Sequence, residues 1–305
     1  MSVLASNDLS IRLGIHRVKK LYLQLLYRCN FACLHCFHGE ALFRKDCLSV
    51  DSAINLIAEF AEQYRTETLC VLGGEPLLYR DLPIILEFAK NLKLKTEICT
   101  NGYRRSTDLE RALHYLDMVR VSLDGNESVH DRIRRPGSFA AALHTLKLAR
   151  TADLKCGITM TLMKQNVRTI TDLHALGEDL GIDEIVVHRL RSVGNAATYE
   201  LVGIGASDAI WLKDILLNLK SLKPLIKVDS DILALLGEKY ETGVVDDGAI
   251  DRIEIAPNGD VYLSCKAVGT HMNSFKYDAK RNGIYYMPHA QDELKGNVPQ
   301  VKYVS

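Results

Sequence analysis

Neither sign of charge is in surplus: Lys and Arg number 38, and so do Asp and Glu, over 305 residues. A balanced chain has no overall field to draw it to nucleic acid or an anionic membrane, although a local basic groove stays open. Long apolar runs are missing as well. No stretch approaches the ~20 apolar residues of a membrane span, and Asn7-Asp8 and Arg12 break up the N-terminus where a signal peptide needs an unbroken segment. No nucleic-acid or membrane partner is expected, and the cytoplasm is the expected location. Internal repeats and low-complexity tracts are absent, which excludes a repeat array. What remains is an ordinary globular composition, 47% apolar and 25% charged, long enough for one large domain or a domain with an appendage.

Cysteine is not scarce, but its placement argues against disulfides. Of eight cysteines, three stand together as Cys29, Cys33 and Cys36, and none follows Cys265. With no export signal, a reducing compartment and a metal or redox use is the better reading. Cys70 and Cys99 lie inside strand-like runs and read as core; Cys47 and Cys156 give no signal.

From Leu21 to about Leu190, short β-rich runs alternate with helical patterns, which predicts βα units and a parallel sheet. The expected strands are 21–26, 68–72, 95–99, 118–123, 157–162 and 185–188. Ser49 is the expected N-cap of a helix whose apolar face runs through Ala53, Ile54, Ile57 and Phe60. Further helices are expected over 82–92, 139–150 and 170–180, the last closed by Gly181. Polar residues recur at the strand ends: Gly73-Gly74-Glu75-Pro76, Thr100-Asn101-Gly102, Ser122-Leu123-Asp124-Gly125 and His188-Arg189. Catalytic groups of such barrels gather at the carboxyl ends of the strands, so this placement points to an enzyme.

The cysteine loop carries the chemistry. Tyr27 to Cys36 holds CxxxCxxC directly after an apolar run. Thiolates hold iron–sulfur cubes, and a loop this short can wrap three corners of one, leaving the fourth iron open. Structural zinc is the competitor, with His35 or His38 as the fourth ligand. Buried, unreactive thiols are the bland alternative. Among the strand ends, glycine lets a backbone approach a ligand, a carboxylate pairs with an ammonium group, and a guanidinium clamps a carboxylate. Plain turns would account for the same Asn-Gly and Asp-Gly pairs.

Taken together, these segments resemble the radical S-adenosylmethionine (SAM) enzymes, strongly over about residues 20–195 and weakly over 250–285. The resemblance implies a partial (β/α)6 TIM-like barrel of α/β class, with a short SPASM/twitch-like hairpin extension at the C-terminus. The barrel core is expected over residues 1–200, and a helical linker with the reduced extension over 201–305. It implies one [4Fe–4S] cluster on Cys29, Cys33 and Cys36 as metal ligands, with SAM on the open iron. It further implies SAM contacts from His35, Gly73, Gly74, Glu75, Pro76, Thr100, Asn101, Ser122, Asp124, Arg134 and His188. His35 departs from the pattern, since the residue before the last cysteine is usually aromatic. Reduction of the cluster would cleave SAM to a 5′-deoxyadenosyl radical that takes hydrogen from substrate.

The stretch around His130, Asp131 and Arg134 resembles the HDxxR of the peptide-modifying branch. After Arg191 the pattern changes to a loop over 192–196, helices over 209–222 and 231–240, and a hairpin flanking Pro257-Asn258-Gly259-Asp260. In the family such a hairpin precedes the first auxiliary-cluster cysteine. Here only Cys265 follows it, so no auxiliary cluster is expected, and Cys265 is left as vestigial, a radical relay or a ligand of another kind. The implied substrate is a ribosomally made peptide to be spliced, epimerised or crosslinked. A separate small recognition protein of RRE type is expected to deliver it, because the residues before Cys29 are too few for a leader-binding domain. A flavodoxin or ferredoxin is the expected electron donor. The alternatives are a small-molecule radical SAM enzyme and an iron–sulfur scaffold without activity.

Overall fold

The computed structural model describes residues 8–103, 106–220, 222–237, 244–245, 248–263 and 275–287. The chain opens with α1 (Asp8–Leu13) and β1 (Arg17–Gln24), then α2 (Val50–Gln63), β2 (Thr68–Leu72), α3 (Leu82–Asn91) and β3 (Lys95–Thr100). It continues through α4 (Ser106–Leu113), β4 (Met118–Ser122), α5 (Glu127–Ile133), α6 (Ser138–Thr151), β5 (Lys155–Leu162), α7 (Ile170–Asp179) and β6 (Glu184–Arg189). The C-terminal third contains α8 (Asn195–Thr198), α9 (Ala206–Leu219), β7 (Leu225–Val228), α10 (Ser230–Leu235), β8 (Val244–Val245), β9 (Ala249–Ile255), β10 (Asp260–Tyr262), β11 (Phe275–Asp278) and β12 (Gly283–Tyr286).

The six expected strands appear in order and pair in parallel, β1 through β6. Strand alternation gives each two faces. One face carries Leu21, Leu23, Leu69, Val71, Ile98, Val119, Ile158 and Ile185, which pack with Leu56, Phe60, Ile85, Leu86, Leu146 and Leu173 of the surrounding helices. The other face is the barrel interior, and it is polar. Ser49 caps α2 by accepting the Ser52 N–H at 3.1 Å. Gly181, just past α7, takes the left-handed conformation at φ 65° that a Cβ would disfavour.

Three features differ from expectation. β7 adds a seventh parallel strand beside β6; the four-residue run Leu225–Val228 was too short to stand out. The Pro257–Asp260 turn makes the expected hairpin, with Val261 opposite Ile255, and its first arm finds an unexpected partner. β9 pairs in parallel with β1 from Arg17↔Ala249 to Leu23↔Ile255, so one sheet runs β12-β11-β10-β9-β1-β2-β3-β4-β5-β6-β7. The expected loop at 192–196 contains the start of α8. Its amino end reaches the cysteine loop because Gly194 has no side chain: a Cβ there would lie 2.6 Å from the Cys36 carbonyl oxygen. Among the described residues no helix is long and apolar enough to cross a membrane.

Candidate active site

The chain leaves β1 through buried Leu25, Leu26 and Tyr27 and enters the cysteine loop at exposed Arg28. The loop is tied down by its own backbone and by two distant elements. Cys36 N–H bonds the Cys33 carbonyl at 3.1 Å, and Leu34 N–H bonds the Ile133 carbonyl at the end of α5 at 3.0 Å. Asn195 of α8 donates its backbone N–H to Cys36 O and its side-chain amide to Cys33 O, both at 2.9 Å.

The sulfurs face N–H groups. Phe31 N–H approaches Cys29 Sγ at 3.4 Å, the Asn101 amide approaches the same sulfur at 3.7 Å, and Arg134 Nη1 lies 3.9 Å from Cys33 Sγ. Burial, reinforced by the neighbouring thiols, pushes Cys29 up to about 12 and Cys33 up to about 11, and burial raises Cys36 too. Bound cationic metal inverts that balance and makes the thiolates the stable form. Three mutually sensing thiols met by N–H donors therefore fit a metal–sulfur group. They do not make a closed zinc site: among the described residues no three His, Cys, Asp or Glu side chains are grouped to hold a metal ion directly. His35, one expected fourth ligand, spends its Nε2 on Asp124 at 2.7 Å. His38 packs against Phe37 with its ring tilted by 37° and its Nε2 unpartnered among the described residues, and burial drives it down to about 4.

Gly73-Gly74-Glu75-Pro76 packs directly beneath this loop. Gly74 N–H bonds Leu26 O at 2.7 Å and Glu75 N–H bonds Arg28 O at 3.1 Å. A Cβ on Gly74 would lie 2.1 Å from Tyr27 O, so only glycine fits. Glu75 is fully buried and acts as a staple: Oε1 accepts from Leu77 N–H at 3.0 Å and Thr100 Oγ1 at 2.7 Å, and Oε2 from Asn101 N–H at 2.8 Å. Pro76, also buried, starts the short helical turn that Glu75 caps. Asn101 in turn bonds the Asn30 side chain of the cysteine loop at 2.8 Å.

Asp124 is the second hub. Its buried carboxylate meets His35, Arg134 Nε at 2.5 Å and Thr161 N–H at 2.8 Å. Burial alone would raise it, but Arg134 and then His35 overcome that and hold it well below the usual carboxylate range. His130 accepts the Asp124 backbone N–H at 3.1 Å, and burial with nearby Arg134 lowers it to about 4. Asp131 turns the other way and caps α6 through Gly137 and Phe139 N–H. Arg134 thus already faces one carboxylate and one cysteine sulfur. Ser122 is half-buried beside Cys99.

His188 stands at the end of β6 with Nδ1 3.0 Å from Asp229 Oδ1. Cys265 lies outside the described residues. Sequence reasoning missed Asn166, buried after β5, whose amide bonds the carbonyls of Asp124 at 3.0 Å and Thr161 at 2.8 Å; a lone Asn in a loop carries no distinguishing signal. Cys70 is buried as expected, with its register on the interior face opposite Glu97; Cys99, on the same face opposite Arg120, is only half-buried.

Comparison with known proteins places this arrangement. The mycofactocin maturase MftC of Mycobacterium ulcerans is 30% identical over 248 residues, 78% of this chain and 66% of that protein. The Fe-coproporphyrin III synthase of Methanosarcina barkeri is 31% identical over 174 residues, 56% of this chain and 43% of that protein. The crystal structure of Streptococcus suis SuiB bound to its precursor peptide SuiA superposes with a TM-score of 0.70 at 16% identity, over 86% of this chain and 63% of that one, a likeness of fold. The chain therefore spans about half to two thirds of the length of these relatives. The profile of the radical SAM superfamily matches residues 23–176, half of the chain, and the chain belongs to that superfamily.

Proposed function

We propose that this chain is a peptide-modifying radical SAM enzyme that abstracts hydrogen from a ribosomally made precursor. One observation carries the reading: three free thiols on one loop, with the ends of β2, β3 and β4 each hydrogen-bonded to that loop. When bound, the [4Fe–4S] cluster and SAM supply a reducing electron and a 5′-deoxyadenosyl radical, the hard chemistry that the fold itself lacks. Cys29, Cys33 and Cys36 hold the cluster. Gly73, Gly74 and Pro76 keep the second strand end close to it. Glu75 orients Thr100 and Asn101, and Asp124 orients His35 and Arg134, so that the polar mouth is set before SAM arrives. Ser122 and His188 line the same mouth.

The maturase relatives support the peptide substrate: this chain is 30% identical to MftC over 248 residues and 25% identical over 177 residues to the sporulation killing factor maturation protein SkfB of Bacillus subtilis. SuiB holds a precursor peptide on a similar fold. A small RRE-type recognition protein, a flavodoxin or ferredoxin donor, a cytoplasmic setting and a core–extension division near residue 200 belong to the same proposal. The similarity to Fe-coproporphyrin III synthase favours a second reading, a small-molecule radical SAM enzyme.

Anaerobic reconstitution tests the proposal. The expected result is about four irons and four sulfides per chain, release of 5′-deoxyadenosine from SAM, and a mass change in a precursor peptide encoded beside this chain. Cys33→Ala should lose both iron and turnover. Zinc in place of iron, or turnover by the Cys33→Ala variant, would overturn the radical reading; turnover of tetrapyrrole but not peptide would replace only the substrate.

A further inference from the structure

Side chains alternate along β6, so His188 shares a face with Glu184 and Val186, while Ile185 and Val187 enter the apolar core. That shared face is the barrel interior, where Glu184 meets Arg120. Asp229, immediately past β7, takes His188 Nδ1 at 3.0 and 3.2 Å and the Arg189 backbone N–H at 3.2 Å. Burial would raise this carboxyl, but its bond to His188 prevails and keeps it ionised.

An ionised carboxylate only accepts hydrogen bonds, so the proton of the neutral ring sits on Nδ1 and the lone pair on Nε2. No described residue is hydrogen-bonded to Nε2, and the side chain is 38% exposed. The register partner of His188 on β5 is Thr161, whose backbone N–H is held by Asp124, so one strand separates this pair from the Asp124 hub. Among the charged groups near the pair are Arg189 beside it on β6, Asp231 at the start of α10 and, from β9, Arg252, whose charge acts on Asp229; Thr161 from β5 is uncharged.

We propose that His188, oriented by Asp229, accepts a proton from the substrate at the barrel mouth. The donor is a hydroxyl or N–H on the carbon that loses its hydrogen atom, since radical formation there acidifies it. The O–H or N–H bond breaks with its electron pair left on the heteroatom, the proton passes to Nε2, and Asp229 balances the imidazolium. No oxidant or reductant enters this step. The proposal rests on the radical reading above.

Two measurements on reconstituted protein test it. Long-range 1H–15N spectra of histidine-labelled protein should show the neutral form of His188 carrying its proton on Nδ1, and Asp229→Asn should abolish that preference. A proton on Nε2, or no change in the variant, overturns the pair. With a precursor peptide encoded beside this chain, His188→Gln should lower the product formed per 5′-deoxyadenosine by about 10²-fold and flatten the acidic limb of its pH profile, the lower range for a lost proton-transfer group. An unchanged product ratio overturns the proposal. If wild-type protein releases no 5′-deoxyadenosine, the radical reading fails instead, and the spectra still decide the pair.

Discussion

At the carboxyl ends of the strands, charged side chains are spent on backbone: Glu75 accepts two N–H groups and a hydroxyl, and Asp124 accepts Thr161 N–H beside His35 and Arg134. Deeper in the barrel, side chain meets side chain. Lys20 reaches Glu97 at 3.4 Å, Arg120 bridges Glu97 at 2.5 Å and Glu184 at 2.7 Å, and Lys227 meets Glu184 at 2.5 Å. Arg120 crosses β5 to reach Glu184 because the register residue between them is Gly157, where a Cβ would lie 3.1 Å from Arg120 Cγ. The mouth is therefore preorganised by short local geometry and leaves thiols and a histidine nitrogen facing inward. The interior ladder is closed on itself and offers a ligand little. Polarity alone does not mark a site; what matters is whether the polar groups have already satisfied one another.

The ladder is the sharpest place to test that division. Arg120→Met leaves Glu97 and Glu184 buried with only their lysines. It should cost about 3–5 kcal/mol of stability, as when one partner of a buried pair is removed, measured by chemical denaturation. Cluster content of the folded fraction should stay at the wild-type level. A loss of iron without a loss of stability would break the distinction between scaffold and mouth.

The next effect is one of pH. His130 is neutral in the fold, lowered to about 4, against about 6.5 in the unfolded chain. Its folded value is depressed and its charged form is the disfavoured one, so this contribution is full above about pH 6.5 and declines as pH falls towards about 4. The loss reaches on the order of 3 kcal/mol at the acid end. His130→Asn should flatten that slope in denaturation curves taken across the interval; an unchanged slope would mean another group carries it.

How much of this was legible follows the same division. The mouth could be read because each of its parts, the cysteine spacing, the Gly-Gly-Glu-Pro run and the Asn-Gly and Asp-Gly pairs, is a short local segment. Gly74 and Tyr27 are far apart in sequence, yet each belongs to a recognisable local segment. The ladder could not be read: Lys20, Glu97, Arg120, Glu184 and Lys227 come from five strands, and each alone is an ordinary charged residue in a β-rich run. The parallel pairing of β9 with β1 was hidden for the same reason, since strand spelling gives no partner. That Cys70 and Cys99 face the barrel interior was hidden too, because a cysteine in a strand spells the same on either face.

Gly74→Ala carries the comparison back to the mouth. The added carbon would sit 2.1 Å from Tyr27 O and 2.4 Å from Arg28 O, both backbone atoms that no rotamer change can move. Overpacking of this kind costs about 1–3 kcal/mol, less than breaking the ladder, but the displaced segment is the one leading into Cys29. The expected result is modest destabilisation with a clear fall in iron bound after reconstitution, the inverse of Arg120→Met. Full iron content in this variant would show that the loop tolerates a shifted second strand end.

The smallest effect provides the baseline for the others. Ser49 lies at the start of α2, outside both regions, and its hydroxyl satisfies one of the N–H groups that a helix start leaves open. Ser49→Ala should cost about 1 kcal/mol, seen as a small drop in thermal midpoint, with iron content and 5′-deoxyadenosine release unchanged. The cap is local to a helix packed on the outer face of the barrel, so nothing in its hydrogen bonding reaches the cysteine loop. If this variant lost iron in proportion to its stability, iron retention would be following global stability. The opposite signatures expected of Arg120→Met and Gly74→Ala would then no longer separate ladder from mouth.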